Sequence, residues 1–472
     1  MFLQAKWVIL PAFLLTVACL LVTAVPGSAD PKEREPVGTT LYHRDRDHLW
    51  NRVHAALLMR VGPDGKTYGE DRLEPLLWAE SKNLLEGKTA ERAVAVLEEF
   101  LKEKGETLID DPVKRAVLQR DLWMVSNWSA SPSDAGAPRP LGAPLAKAID
   151  RLALSPDQIA RLPDNYAAAV AAKKYADRFD PEKPEQSYLP PDLFKPDGPW
   201  VCVGRTDGPT APQHLEETGF NRFTNSVFLV FVKLPGGRDA TLDYLKRLAA
   251  FDKPLALPNA DEKSRGAYRF LPNPAVPQFP KGAEVALVRR ALLLDSSRRV
   301  VPSPLTESIQ LRVMRTDTPA LTPELLDQLK AFSPAGLRRV AERQAFFDFQ
   351  LRRADLFAEE AGGLRDVSGE RDFKTGFASH QWDEFGERGS AASTGQPFPQ
   401  RSQPFENNRA SCAICHPLPG VYGFNSLQDF RAGIARDGDK LKPYSLAAMK
   451  VEEVEKAAIK RKETQVGGKL WK

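Results

Sequence analysis

Apolar residues recur along the chain in two rhythms, and the change between them divides it. From about 40 to 180 the rhythm is helical: Leu49, Val53 and Leu57 return at every fourth residue, and Ala93, Val96, Leu97, Phe100 and Leu101 share one face of a segment that follows Thr89 and closes at Gly105. Such spacing stacks side chains on one side of a 3.6-residue turn. Asp111-Pro112 predicts a further helix start, an acceptor at the N-cap followed by a proline whose missing N–H costs nothing there. The stretch 129–142, SASPSDAGAPRPLG, is rich in small residues and proline and reads as a linker.

From 190 to 316 the rhythm changes. Ser226-Val227-Phe228-Leu229-Val230-Phe231-Val232 predicts a strand by its β-branched and aromatic content, bounded by Pro235-Gly236-Gly237. Val285 to Leu294 and Ile309 to Met314 predict two more, and Asp295-Ser296-Ser297 offers a turn between them, so an antiparallel sheet is expected. Beyond 320 the helical reading returns through Leu325, Leu326 and Leu329. A long run from Pro334 to Glu360 with Phe346, Phe347, Phe349, Leu351 and Phe357 is expected to be helical and to stop at Gly362-Gly363. Ser445 is placed to cap a last helix through Lys462, with Ala447, Val451, Val454 and Ala458 on one stripe. The expected fold is mainly α with a smaller antiparallel β region, an α+β chain. It divides into a leader (1–29), a helical domain (40–180), a mixed domain with the sheet (190–316) and a helical C-terminal region (320–472).

The leader follows from one uninterrupted apolar run. Lys6 precedes an uncharged stretch from Trp7 to Val25, and Gly27-Ser28-Ala29 supplies small residues where a signal peptidase cuts. The alternatives are an uncleaved membrane anchor through residues 7–25 and a lipid-modified Cys19 in Thr16-Val17-Ala18-Cys19. All three expect the bulk of the chain outside the cytoplasm, in the periplasm or on the outer face of the membrane.

Charge removes one class of partner. The 66 basic and 62 acidic residues of the 472-residue chain nearly cancel, and no basic stripe interleaved with aromatics is present, so nucleic acid is not an expected partner. Three look-alikes also fall away. His43-Arg44-Asp45 has no glycine-rich loop to make a kinase, and Gly65-Lys66-Thr67 has Arg60 where a phosphate loop needs its first glycine. His48 and His54 are six residues apart and so lie on different faces of a helix.

Four cysteines are too few for a disulfide framework in a chain of this length. Cys202 sits in the apolar stretch Pro199-Trp200-Val201-Cys202-Val203-Gly204 and reads as a buried, unreactive thiol on a short strand. Cys412-Ala413-Ile414-Cys415-His416 is different, because it fits the C-x-x-C-H spacing of covalent haem attachment. Two thiols three residues apart reach one porphyrin edge, and the adjacent imidazole lies over the iron. A redox disulfide is the rival use of the pair, and zinc would need further ligands.

In this motif, and loosely in its last hundred residues, the chain resembles the c-type cytochrome family. The resemblance implies one covalent haem on Cys412 and Cys415, with His416 as the proximal iron ligand and a helical haem-binding segment around them. For the sixth ligand the candidates are Met449 and His380, or the position is open. Gly395 to Asn408, which reads as loop, departs from the helix usual before such a motif. The expected function is an exported monohaem electron carrier with an unknown redox partner. A haem enzyme of peroxidase type with an open sixth position is one alternative. A structural or binding protein with a disulfide at Cys412/Cys415 is the other.

Overall fold

The structure is a computed structural model that describes residues 38–61, 67–71, 87–129, 141–206, 215, 225–258, 270–318, 342–370, 416, 420–424 and 446–469. The expected leader, the helix expected around Leu325 to Leu329, His380, Cys412 and Cys415 lie outside the described residues.

The strands are β1 (Arg60–Val61), β2 (Thr67–Tyr68), β3 (Val201–Arg205), β4 (Ser226–Lys233), β5 (Ala256–Pro258), β6 (Phe270–Pro272), β7 (Glu284–Leu294), β8 (Val300–Met314), β9 (Gln344–Leu351), β10 (Leu364–Asp366) and β11 (Leu446–Ala448). Seven of them form one antiparallel sheet in the order β10-β9-β8-β7-β4-β3-β11, while β1-β2 and β5-β6 form two small ribbons. The helices are α1 (Leu49–Leu58), α2 (Gly87–Lys102), α3 (Pro112–Ser129), α4 (Gly142–Arg151), α5 (Pro156–Ala160), α6 (Asn165–Ala171), α7 (Gly237–Ala249), α8 (Arg353–Phe357), α9 (Val421–Phe424) and α10 (Val451–Lys469).

A local signal starts α3 as the sequence predicts, whereas α2 begins at Gly87, before Thr89. The Asp111 carboxylate accepts from the main-chain N–H of Val113 at 2.9 Å and of Lys114 at 3.0 Å, capping α3. In α2 the stripe Ala93, Val96, Leu97 and Phe100 is buried. The first long strand falls where expected, the second begins at Val300, nine residues before the expected Ile309, and Asp295 closes the turn between them by accepting from Ser297 N and Arg299 N.

Two expectations are corrected. The chain is not mainly α, because the seven-stranded sheet is its centre. The run expected as a helix through Phe346, Phe347, Phe349 and Leu351 is β9, paired residue for residue with β8 (Leu311 with Phe347, Ile309 with Phe349). In β9 the polar Gln344, Asp348 and Gln350 alternate with Ala345, Phe347, Phe349 and Leu351, a period of two that the aromatic run around Phe346 and Phe347 masks, and both faces are buried. Pairing across the sheet then overrides local helical preference. The last helix likewise begins at Val451, and Leu446 to Ala448 pair with β3 instead of extending it.

Alternation on the strands builds two cores. Leu229 and Phe231 of β4, Ile309 and Leu311 of β8, and Phe347 and Phe349 of β9 face Trp50, Phe100, Trp123 and Ile149 of the N-terminal helices and Val454 and Ala458 of α10. Val230 and Val232, Val285, Met314 and Phe346 point to the other face, which α7, Phe279 and α9 cover. The first core draws side chains from all three of the segments 40–180, 190–316 and 320–472.

Gly362 shows how tightly the helices dock. It has φ +62°, and a Cβ built on it would clash with the main-chain carbonyl oxygen of Asn165 at the start of α6. The Asn165 side chain holds the same junction, donating to the carbonyls of Gly362 and Thr306 at 3.0 Å each and accepting from Thr306 N at 2.7 Å. Gly362→Ala is expected to destabilise by about 1–3 kcal/mol from the left-handed backbone, with displacement of α6 in addition. Urea denaturation checks this; a loss of only a few tenths would mean that the glycine merely ends a helix.

Candidate functional site

Of the motif residues, His416 is described. It is half-buried on the second face of the sheet, and two strands hold it. Arg312 of β8 is opposite Val285 and Phe346 in the strand pairing, and Gln344 of β9 is opposite Met314, which puts both side chains on that face. The Gln344 amide donates to the His416 carbonyl at 3.1 Å, and Arg312 Nη1 lies 3.4 Å from His416 Nδ1. Arg312 also donates through Nη2 to the Gln344 side-chain oxygen, so each of the three residues contacts the other two. The guanidinium lies 5.4 Å from the Phe346 ring centroid, within cation–π range. A guanidinium only donates, so Nδ1 is the acceptor here and the ring proton belongs on Nε2. Just downstream, Val421 and Phe424 of α9 are buried in the second core, and Phe424 meets Phe279 edge-on at 5.7 Å.

Met449 lies elsewhere. Its thioether rests against Gly204 of β3, its main-chain N–H donates to the Cys202 carbonyl at 3.0 Å, and it packs on the first core. Strands β7 and β4 separate β8 from β3, roughly 14 Å at the usual strand spacing. Met449 and His416 therefore stand on opposite faces of the sheet and are not brought together. Cys202 is buried on β3, and burial pushes its thiol up to about 12, so it is inert.

Sequence reasoning missed a buried ionic network on the first core's side. Arg120 of α3 pairs with Glu307 of β8 through Nε and with Asp121 at 3.2 Å. Glu307 also takes Arg289 of β7 at 2.9 Å and accepts from the Ser226 hydroxyl, while Asp121 takes Arg353 of α8 at 2.9 Å. All five charged side chains are 3% exposed or less. Beside them, Tyr42 is packed against His54 with ring centroids 5.5 Å apart. Burial first, and the nearby Asp121 second, push the Tyr42 hydroxyl well above its ordinary range. Burial first, and the Arg353 charge second, hold His54 down at about 4. His54 Nε2 is within reach of the carbonyls of Gly69 and Glu70 at 3.1 and 2.8 Å, so the neutral ring donates there. The adjacent Arg120-Asp121 was the one visible signal, two charges inside the run Ala116 to Val125 that is otherwise short of solvent-facing positions. Nothing in a single chain links them to partners 187 and 232 residues away.

Among the described residues no cluster of three or more His, Cys, Asp or Glu could hold a metal ion, and no helix is long and apolar enough to cross a membrane. No family model matches the chain, and no curated protein or solved structure matches it.

Proposed function

We propose that the chain is an exported monohaem c-type protein that carries single electrons. The observation that carries this reading is the sequence Cys412-Ala413-Ile414-Cys415-His416, supported by the apolar leader of residues 7–25. The donor set suits the group: two thiols to form thioethers and an imidazole to bind iron. The His416 ring is half-buried and its main chain is tied to Gln344; ligation through Nε2 would move the ring proton to Nδ1, so the Arg312 contact there would have to open. Cys412 and Cys415 would hold the haem, and His416 would ligate the iron through Nε2. Bound haem would supply a one-electron iron couple. The redox partner is unknown, and the haem edge would be the electron port.

The separation of Met449 from His416 favours a second reading, a haem enzyme of peroxidase type with an open sixth position. His380 is the remaining protein candidate for that position in the carrier reading.

Expression with a working haem-attachment system tests both. One added haem by mass spectrometry and reducible c-type absorption bands are expected. Cys412→Ala and Cys415→Ala should each abolish two-thioether attachment, and His416→Ala should retain the thiols but change the iron spectrum. A wild-type protein without covalent haem would overturn the proposal in favour of a disulfide at Cys412/Cys415. Carbon monoxide or cyanide binding without loss of a protein ligand selects the enzyme reading over the carrier.

A further inference from the structure

We infer that the stacked rings of His43 and His48 form an acid-released clasp, which holds the strap of residues 38–48 closed over the start of α1 and opens when a ring takes up a proton. Three observations converge on it, none of which involves haem. First, the two half-buried rings stack across the loop Arg44 to Asp47, with centroids 4.3 Å apart and planes 31° from parallel. Second, Nδ1 of each ring accepts a main-chain N–H: His43 from Asp45 at 3.1 Å, and His48 from Trp50 at 3.3 Å, where it is the N-cap of α1. Third, the rest of the strap is tied down by a group that does not titrate. Asn51, fully buried, accepts from Tyr42 N and His43 N at 2.9 and 3.3 Å and donates to the carbonyls of His43 and Asp45 at 2.6 Å each.

A ring nitrogen that accepts carries no proton, so in the closed strap both imidazoles are neutral with their single proton on Nε2. Neither ring then offers a bare nitrogen to a metal ion, and the pair is a site for protons instead. A second proton on either ring must go to Nδ1, where it meets an N–H and turns the acceptor into a donor. At His48 this removes the cap and sets a cation against the positive end of α1. The charged groups acting on His48, besides His43, are Asp45 of the strap and Lys114 of α3, whose Nζ donates to the Tyr42 carbonyl at 2.9 Å. Burial first, and His43 second, hold His48 below its ordinary value of 6.5; Asp45 opposes this and Lys114 adds to it. The closed strap therefore refuses a proton that the open strap accepts near 6.5, so the clasp is complete above that pH and is lost as pH falls below it. Asn51 re-forms the strap when the pH returns.

Hydrogen exchange of the full-length chain, read by mass spectrometry at about pH 7.5 and about pH 5.5, tests this on either side of the ordinary histidine range. An unstructured peptide of the strap sequence corrects for the intrinsic effect of pH on exchange. Protection of residues 43–50 should fall by about fivefold or more on acidification, the factor that one lost N-cap gives. Protection in α3 and β8 should stay as it was. The double variant His43→Asn, His48→Asn keeps an acceptor at each turn without a titrating ring, so its strap should be equally protected at both pH values. Should that variant fail to accumulate, His48→Asn alone should remove most of the change at Trp50. An unchanged wild-type strap, or an equal fall in the variant, would overturn the clasp. A fall shared equally by α3 and β8 would overturn it too, in favour of global unfolding through His54.

Discussion

Glu307→Ala is expected to cost about 3–5 kcal/mol of stability, the range for breaking a buried ion pair by removing one partner. The carboxylate is 1% exposed and takes Arg120, Arg289 and the Ser226 hydroxyl. Its removal leaves two guanidinium groups facing each other in a site that water does not reach, with Asp121, already shared with Arg353, as the neighbouring counter-charge. Glu307→Gln should cost less, since the amide oxygen still accepts one hydrogen bond. The exposed pair Arg52–Glu99 is the control: Arg52→Ala there should cost less than about 1 kcal/mol. Guanidinium denaturation of the three variants measures all of this, and equal losses at Glu307 and Arg52 would show that the network does not bind the helices to the sheet.

Acid should unfold the protein through His54. The folded state holds this ring neutral down to about 4, whereas an unfolded chain protonates it near the ordinary value of 6.5. The sign follows from which state binds the proton. Above about 6.5 both states are neutral and the stabilisation is complete; as pH falls from there toward 4 the unfolded state takes up a proton that the folded state refuses, and stability is lost. The window is worth about 3 kcal/mol for a shift of this size. His54→Gln keeps a donor for the Gly69 and Glu70 carbonyls but does not titrate, so its stability should decline less between pH 6.5 and 4. Parallel profiles for the two proteins would remove His54 as the cause.

The buried histidine and the ionic network share a property with β9: each depends on partners far away in sequence. Asp111 caps α3 through N–H groups two and three residues on, and that kind of signal is readable from the chain alone. Leu229 and Phe231 lie in a β-branched run that forms a strand in any setting with a second strand beside it. The clue in β9 was weaker: Gln344, Asp348 and Gln350 alternate with Ala345, Phe347, Phe349 and Leu351, but Phe346 beside Phe347 blurs that period, and pairing with Leu311 and Ile309 fixes the strand.

The candidate site divides in the same way. The spacing of Cys412, Cys415 and His416 is legible over five consecutive residues, and the haem reading proposed for it rests on that spacing. Met449 was one candidate for the sixth ligand while the chain was a line, for it follows the motif and carries the right atom. The sheet separates it from His416, because Gly204 and Arg312 project from different strands to opposite faces. Arg312 and Gln344 were unremarked in sequence, 104 and 72 residues from the histidine they meet.

By itself, then, the sequence determined the cap of α3, the turn of the long hairpin and the Cys-x-x-Cys-His spacing, since each rests on contacts within a few residues or on a repeating local pattern. The tertiary structure decided that β9 is a strand, that Glu307 and Asp121 are shared among three arginines, and that a guanidinium rather than a thioether faces His416. Those outcomes are set by burial and by pairing between distant segments, and the free energy of such contacts exists only when the chain is folded.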